Sequence, residues 1–139
     1  MPSPSKVENV LSPVRRPAVL PKGVSKMIYP EEQLEELKAQ FGPGVREFEE
    51  GGHVYLYIPG LKMPPGCTPE ITDALLCPQT HSGYTSRLFF KERIQTTKQV
   101  NWNGQFLILG VQWYAFSYNN IKDMPLMNMI MSHLRGMVA

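Results

Sequence analysis

Apolar residues recur at helical spacing near both ends of the chain and alternate with polar ones between. Leu34, Leu37 and Phe41 form the first stripe. Pro30 suits a first helical position, and Glu31, Glu32, Glu35 and Glu36 complement the positive end of the helix dipole. Gly42-Pro43-Gly44 ends that helix. VREFEE and HVYLYI then flank Gly51-Gly52, a hairpin signature. Val54, Leu56 and Ile58 alternate with Tyr55 and Tyr57, which predicts one set against the helices and the tyrosines on the opposite, open sheet face. PGLKMPPGCTP (59–69) reads as a loop. ITDALLCP (71–78) and SRLFFKERI (86–94) read as strands joined by an exposed connection, QTHSGYT. After the polar TTKQVNWNG, QFLILGVQWYAF is apolar on both faces and reads as one buried strand or as two pieces bent at Gly110. Leu126, Met129, Ile130, His133, Leu134 and Met137 predict a closing helix from near Met124 to Val138.

The order predicts an α+β fold: an N-terminal helix, an antiparallel meander of about four strands, an irregular segment and a C-terminal helix. The 139 residues suffice for one domain, expected over 28–139. Residues 1–27 carry Lys6, Arg15, Arg16, Lys22 and Lys26 against Glu8, together with Pro2, Pro4, Pro13, Pro17 and Pro21, and read as a basic, proline-rich flexible tail. With a net charge of only +2, the rest of the chain is net negative. Five dispersed cations make a weak footprint for nucleic acid, so that partner is not expected.

No run of eighteen apolar residues occurs, so no membrane partner is expected. Cys67 and Cys77 alone supply neither a disulfide framework nor a cysteine-pair zinc site, and no metal or cofactor is expected. With two cysteines and no continuous apolar stretch near the first residues, a cytoplasmic, reducing compartment is the expectation.

The segment ALLCPQTHSGYTSRLFF resembles the ubiquitin-conjugating (UBC) fold, in which the third strand ends at a proline and the fourth carries an aromatic. Leu75, Leu76, Pro78, Leu88 and Phe89 carry that likeness. Pro64-Pro65-Gly66, the Gly110, Trp113, Ser117 series and His133-Leu134 are similar to motifs of a bacterial UBC-like family. Its genes lie beside ubiquitin-like modifiers, activating-enzyme homologues and JAB-type deconjugating peptidases. The resemblance covers roughly residues 29–138. His81-Ser82 stand where the family usually has tyrosine-proline, no His-Pro-Asn tripeptide is present, and no cysteine follows Pro78. The resemblance implies a conjugating enzyme that takes the modifier's C-terminal acyl group from an activating enzyme and passes it to an amine. A JAB-type peptidase would act in the same pathway. The first helix and basic tail would dock the activating enzyme.

Covalent transfer needs an exposed, activated nucleophile. Ser117 stands at the expected position, and a serine there would form an oxyester; its other reading is a polar turn residue. Cys67, expected to be exposed, is the alternative nucleophile, while Cys77 reads as a small core hydrophobe. Asn119 and Asn120 are candidate oxyanion donors, or else a turn pair. Asp123 is a candidate for holding or deprotonating the incoming amine, or else a helix cap. His81 is a general-base candidate if the fold brings it to Ser117, whereas His133 reads as packed. Trp113, Tyr114 and Phe116 read as core; Met124, Met127 and Met131 lie beside the last helix's stripe and suit a partner surface. The competing reading is a non-catalytic UBC-like module that binds the modifier or activating enzyme through Tyr55 and Tyr57.

Overall fold

The structure is a computed structural model that describes residues 29–119 and 124–138. The expected tail at 1–27, Asn120 and Asp123 lie outside the described residues. Contacts divide the chain into Met1–Pro30 and Glu31–Ala139, and the helices and strands among the described residues belong to the second unit.

That unit is α+β: two helices and a curled six-stranded antiparallel sheet. In chain order the elements are α1 (Glu31–Phe41), β1 (Arg46–Glu50), β2 (His53–Lys62), β3 (Ile71–Cys77), β4 (Arg87–Phe90), β5 (Gly104–Ile108), β6 (Val111–Ala115) and α2 (Leu126–Arg135). The strands lie in the order β1-β2-β3-β4-β6-β5. Six strands replace the expected four, because QFLILGVQWYAF is two paired strands bent at Leu109-Gly110, the second of the two readings its sequence allowed. Leu109 and Gly110 both take positive φ, 54° and 76°, and so turn the chain tightly there. Gly51-Gly52 does the same between β1 and β2.

The second correction concerns β2, which runs on through Pro59-Gly60 to Lys62 instead of ending at Ile58. The register with β3 slips between Ile58 and Leu61, and a bulge is where a strand tolerates proline and glycine. The Asp73 carboxylate stabilises the bulge by accepting the Gly60 N–H at 2.9 Å and the Tyr57 hydroxyl at 3.1 Å.

Both sheet faces are apolar. On one, Leu56, Leu76 and Leu88 lie side by side across three strands, each no more than 1% exposed. The helices cover this side: α1 and α2 pack on each other and reach β2 and β4. All six stripe residues of the C-terminal helix are buried, although the helix ends at Arg135 and Met137 lies just beyond it. Pro125 gives α2 no side-chain cap, and the Gln33 side chain of α1 accepts the Leu126 N–H at 3.0 Å instead.

The other face is covered by the sheet's own far end. Tyr55, Leu75, Cys77, Phe89, Ile108, Trp113 and Ala115 form one buried cluster, although two strands separate β2 from β6. The Leu109 N–H at one hairpin tip donates to the Glu50 carboxylate at the other, at 2.9 Å, so the curl brings opposite edges of the sheet together. Tyr55 is therefore 4% exposed, not on an open face as the alternation predicts. Among the described residues no helix is long and apolar enough to cross a membrane.

Candidate active site

Ser117 follows the buried Phe116 two residues after β6 and is itself exposed. Three contacts fix it. Its N–H donates to the Asn101 carbonyl at 2.7 Å, the carbonyl of Phe116 accepts Arg87 Nη2 at 3.2 Å, and its Oγ lies 2.8 Å from the Tyr84 hydroxyl. Asn103 Nδ2 donates to the same Tyr84 oxygen at 2.8 Å, and the Arg87 guanidinium lies over the tyrosine ring, 4.3 Å from its centroid.

A tight turn delivers Tyr84. His81 and Tyr84 exchange backbone hydrogen bonds of 2.9 and 3.0 Å across Ser82-Gly83, both at positive φ. The same turn sends His81 the other way, into the cluster, where it is 7% exposed. This corrects the expectation of a wholly exposed connection. The His81 ring stands 5.1 Å from Phe89, 5.1 Å from Phe106 and 4.4 Å from His53. Tyr55 and Ser82 occupy its two nitrogens, both at 3.1 Å, so neither reaches Ser117. Burial, with smaller contributions from His53 and Arg87, lowers its pKa to about 4.

Arg87 links the two halves of the site. It is 2% exposed, donates to Ser82 Oγ at 2.8 Å and to Asn103 Oδ1 at 2.7 Å, and leaves Nε without a partner. Among the described residues no carboxylate pairs with it, which is unusual for a buried cation. Burial lowers its pKa, and Tyr84 acts in the opposite direction. Tyr84 is pulled below its ordinary 10.0, first by the Ser117 hydrogen bond, then by Asn103 and by the charge of Arg87. Gly104 makes room for the arrangement, since a Cβ there would lie 3.2 Å from Arg87 Nη2.

Comparison with protein-family models, curated proteins and solved structures gives no match. The site's chemistry therefore rests on its own geometry.

The remaining sequence candidates separate. Asn119 is exposed, and its Oδ1 accepts the Thr85 N–H at 3.4 Å. Cys67 is 3% exposed rather than open. The Pro64-Pro65-Gly66 turn closes with the Cys67 N–H on the Pro64 carbonyl, 3.2 Å, and the Thr68–Gln95 bridge anchors the chain on the other side of the thiol. Cys77 is buried as predicted, and burial pushes its thiol to about 11. His133 is 2% exposed and bonded to Ser86 at 3.0 Å, a packed histidine. Among the described residues no group of three His, Cys, Asp or Glu is placed to hold a metal.

Sequence reasoning passed over Tyr84, Asn103 and Arg87. The Ser82-Gly83 pair signals a turn that presents Tyr84, but nothing local says that Tyr84 meets a serine 33 residues on. A separate groove of about 690 Å³ lies where the end of α1, the end of β2 and the outer side of α2 meet. Phe41, Pro64, Met127 and Met131 line it with Lys62 and Arg135, and among the described residues no acidic one does.

Proposed function

We propose that this chain is an acyl-accepting component of a ubiquitin-like conjugation pathway, in which Ser117 takes the modifier's C-terminal acyl group from an activating enzyme and holds it as an oxyester before transfer to an amine. The observation that carries the reading is the exposed Ser117 hydroxyl, anchored through its backbone and 2.8 Å from a second hydroxyl with a lowered pKa. A serine needs such help, because its own hydroxyl is far less acidic than a thiol. The donor supplies the rest: an acyl group moves downhill from sulfur to oxygen. Asn119, two residues after Ser117 and bonded to the Thr85 N–H, is the residue we assign to donate to the oxyanion that forms on the carbonyl. Both cysteines are buried, so neither competes for the role.

The groove carrying Met127, Met131, Lys62 and Arg135 is the surface we assign to the activating enzyme, as an apolar patch with cations and adaptable methionines. The non-catalytic reading relied on an open tyrosine face, and the burial of Tyr55 removes half of it.

The test is the intact mass of the chain after incubation with ATP, the modifier and the activating-enzyme homologue that the family likeness implies. An adduct that resists reductant, yields to mild hydroxide and is absent from Ser117→Ala is the expected result. Failure to form any adduct, when the activating enzyme itself becomes charged, sinks the proposal.

A further inference from the structure

We propose that Tyr84 is the catalytic base of this site, taking the proton of the Ser117 hydroxyl, and that Arg87 and Asn103 are the positioning residues that hold it ready. The inference rests on Ser117 being the acyl acceptor and replaces His81 in the role of base.

Four observations lead there. Tyr84 is the side chain hydrogen-bonded to Ser117 Oγ, at 2.8 Å, within the range required of a general base. The Tyr84 oxygen already accepts one hydrogen bond, from Asn103 Nδ2, and such a bond favours the anionic form. Arg87 supplies the countercharge from the ring face at 4.3 Å, and it has no carboxylate of its own among the described residues. A buried cation without an anion is costly, and a phenolate at Tyr84 compensates it. Finally, Asn103 bridges the two, accepting from Arg87 at 2.7 Å and donating to Tyr84 at 2.8 Å, so its amide orientation is set at both ends. The groups acting on Tyr84 are Ser117, Asn103 and Arg87, and its lowered pKa agrees with the geometry. His81, with its two nitrogens taken by Tyr55 and Ser82, does not bond to the reacting oxygen.

The step balances without any further reagent. The Tyr84 phenolate accepts the Ser117 proton as Oγ attacks the thioester carbonyl; a C–O bond forms, and the C–S bond breaks as the intermediate collapses. The leaving thiolate takes the proton from the Tyr84 phenol. The products are a serine oxyester and a free thiol, and Tyr84 is again a phenolate.

The experiment needs no partner protein. The full chain is incubated with a small thioester, S-phenyl thioacetate, across a pH series. Acylation is followed by intact mass and assigned by peptide mapping, while phenol ionisation is followed by ultraviolet difference absorbance. We expect a Ser117 adduct whose rate rises with ionisation of one tyrosine that titrates below the others and is missing from Tyr84→Phe. Tyr84→Phe should slow Ser117 acylation by about 100-fold or more at neutral pH. Asn103→Ala, a change at an exposed side chain, should move the rate profile and the phenol titration to higher pH together, which a merely structural role would not do. Equal urea midpoints for Tyr84→Phe and the parent exclude misfolding as the cause. Ser117 acylation at the parent rate in Tyr84→Phe overturns the inference and leaves Ser117 as acceptor. Absence of any Ser117 adduct from the thioester also overturns it, and the modifier-transfer assay then judges the acceptor reading separately.

Discussion

Acidification should destabilise this protein through a histidine that the fold cannot charge. His133 is 2% exposed, its Nε2 lies 3.0 Å from Ser86 Oγ, its ring packs 5.3 Å from that of Tyr118, and the charge of Arg87 opposes a second cation. Burial first, and Arg87 second, lower its pKa from 6.5 to about 3. Between those values the unfolded chain holds a proton that the folded chain does not, so stability rises with pH across the window. The contribution is complete above 6.5 and is lost as pH falls towards the folded value of about 3. At about pH 5 one such proton costs about 2 kcal/mol relative to pH 7.5, a sizeable share of the ~5–15 kcal/mol that small domains have. His81, lowered to about 4, acts in the same direction. Urea unfolding at a series of pH values, for the parent and for His133→Gln, measures the effect. Glutamine keeps a polar end for Ser86 but takes up no proton, so whatever it costs at neutral pH, its acid limb should be shallower by one proton while that of His81 remains. A difference between the two proteins that stays constant from about pH 7.5 to about pH 5 would refute the argument that burial keeps His133 neutral.

Other perturbations test the packing around the site. Trp113→Ala removes a side chain that is 1% exposed and bonded to the Ile108 carbonyl; it should cost about 3–5 kcal/mol, read from urea midpoints. Gly66→Ala places a Cβ 2.5 Å from Thr97 Cγ2 on a backbone at φ 89°; a loss of about 1–3 kcal/mol is expected, and Gly66→Ala/Thr97→Ser should recover only the steric part. Gln33→Ala removes the acceptor for Leu126 N–H at the start of α2 and should cost about 1 kcal/mol, visible as a lower melting temperature. Both thiols should resist maleimide at neutral pH until denaturant is added, and rapid labelling of Cys67 in the folded protein would contradict its burial.

The closing helix was legible because its burial has a single cause. One stripe faces one layer, so six apolar or packed positions identify it and all six are buried. The strands were harder, because alternation gives two faces without saying what covers each. Tyr55 and Tyr57 read as an outer face, and that holds only for a flat sheet. The curl that brings Ile108 and Trp113 onto Tyr55 is a tertiary event. Its one local trace is the Leu109-Gly110 turn, where the leucine carries a positive φ that leucine alone would not advertise. Cys67 misled for a related reason: proline and glycine mark a loop, but this loop closes on itself and tucks the thiol inward.

The site obeys the same division between local and tertiary cause. Ser117 became a candidate from the family likeness and its place before the last helix, and Asn119 from its nearness to Ser117 in sequence. Tyr84, the base we propose, was missed because the choice between His81 and Tyr84 as the partner of Ser117 depends on which way a four-residue turn presents its ends. Ser82-Gly83 sends the histidine into an aromatic pocket and the tyrosine to the serine. The sequence of that turn reads equally well either way. What decides it is the sheet order: with β6 beside β4, Phe90 lies opposite Tyr114, and the segment after β6 runs back past the turn that precedes β4. The β5–β6 hairpin, through the pairing of β6 with β4, is therefore what brings Ser117 to Tyr84.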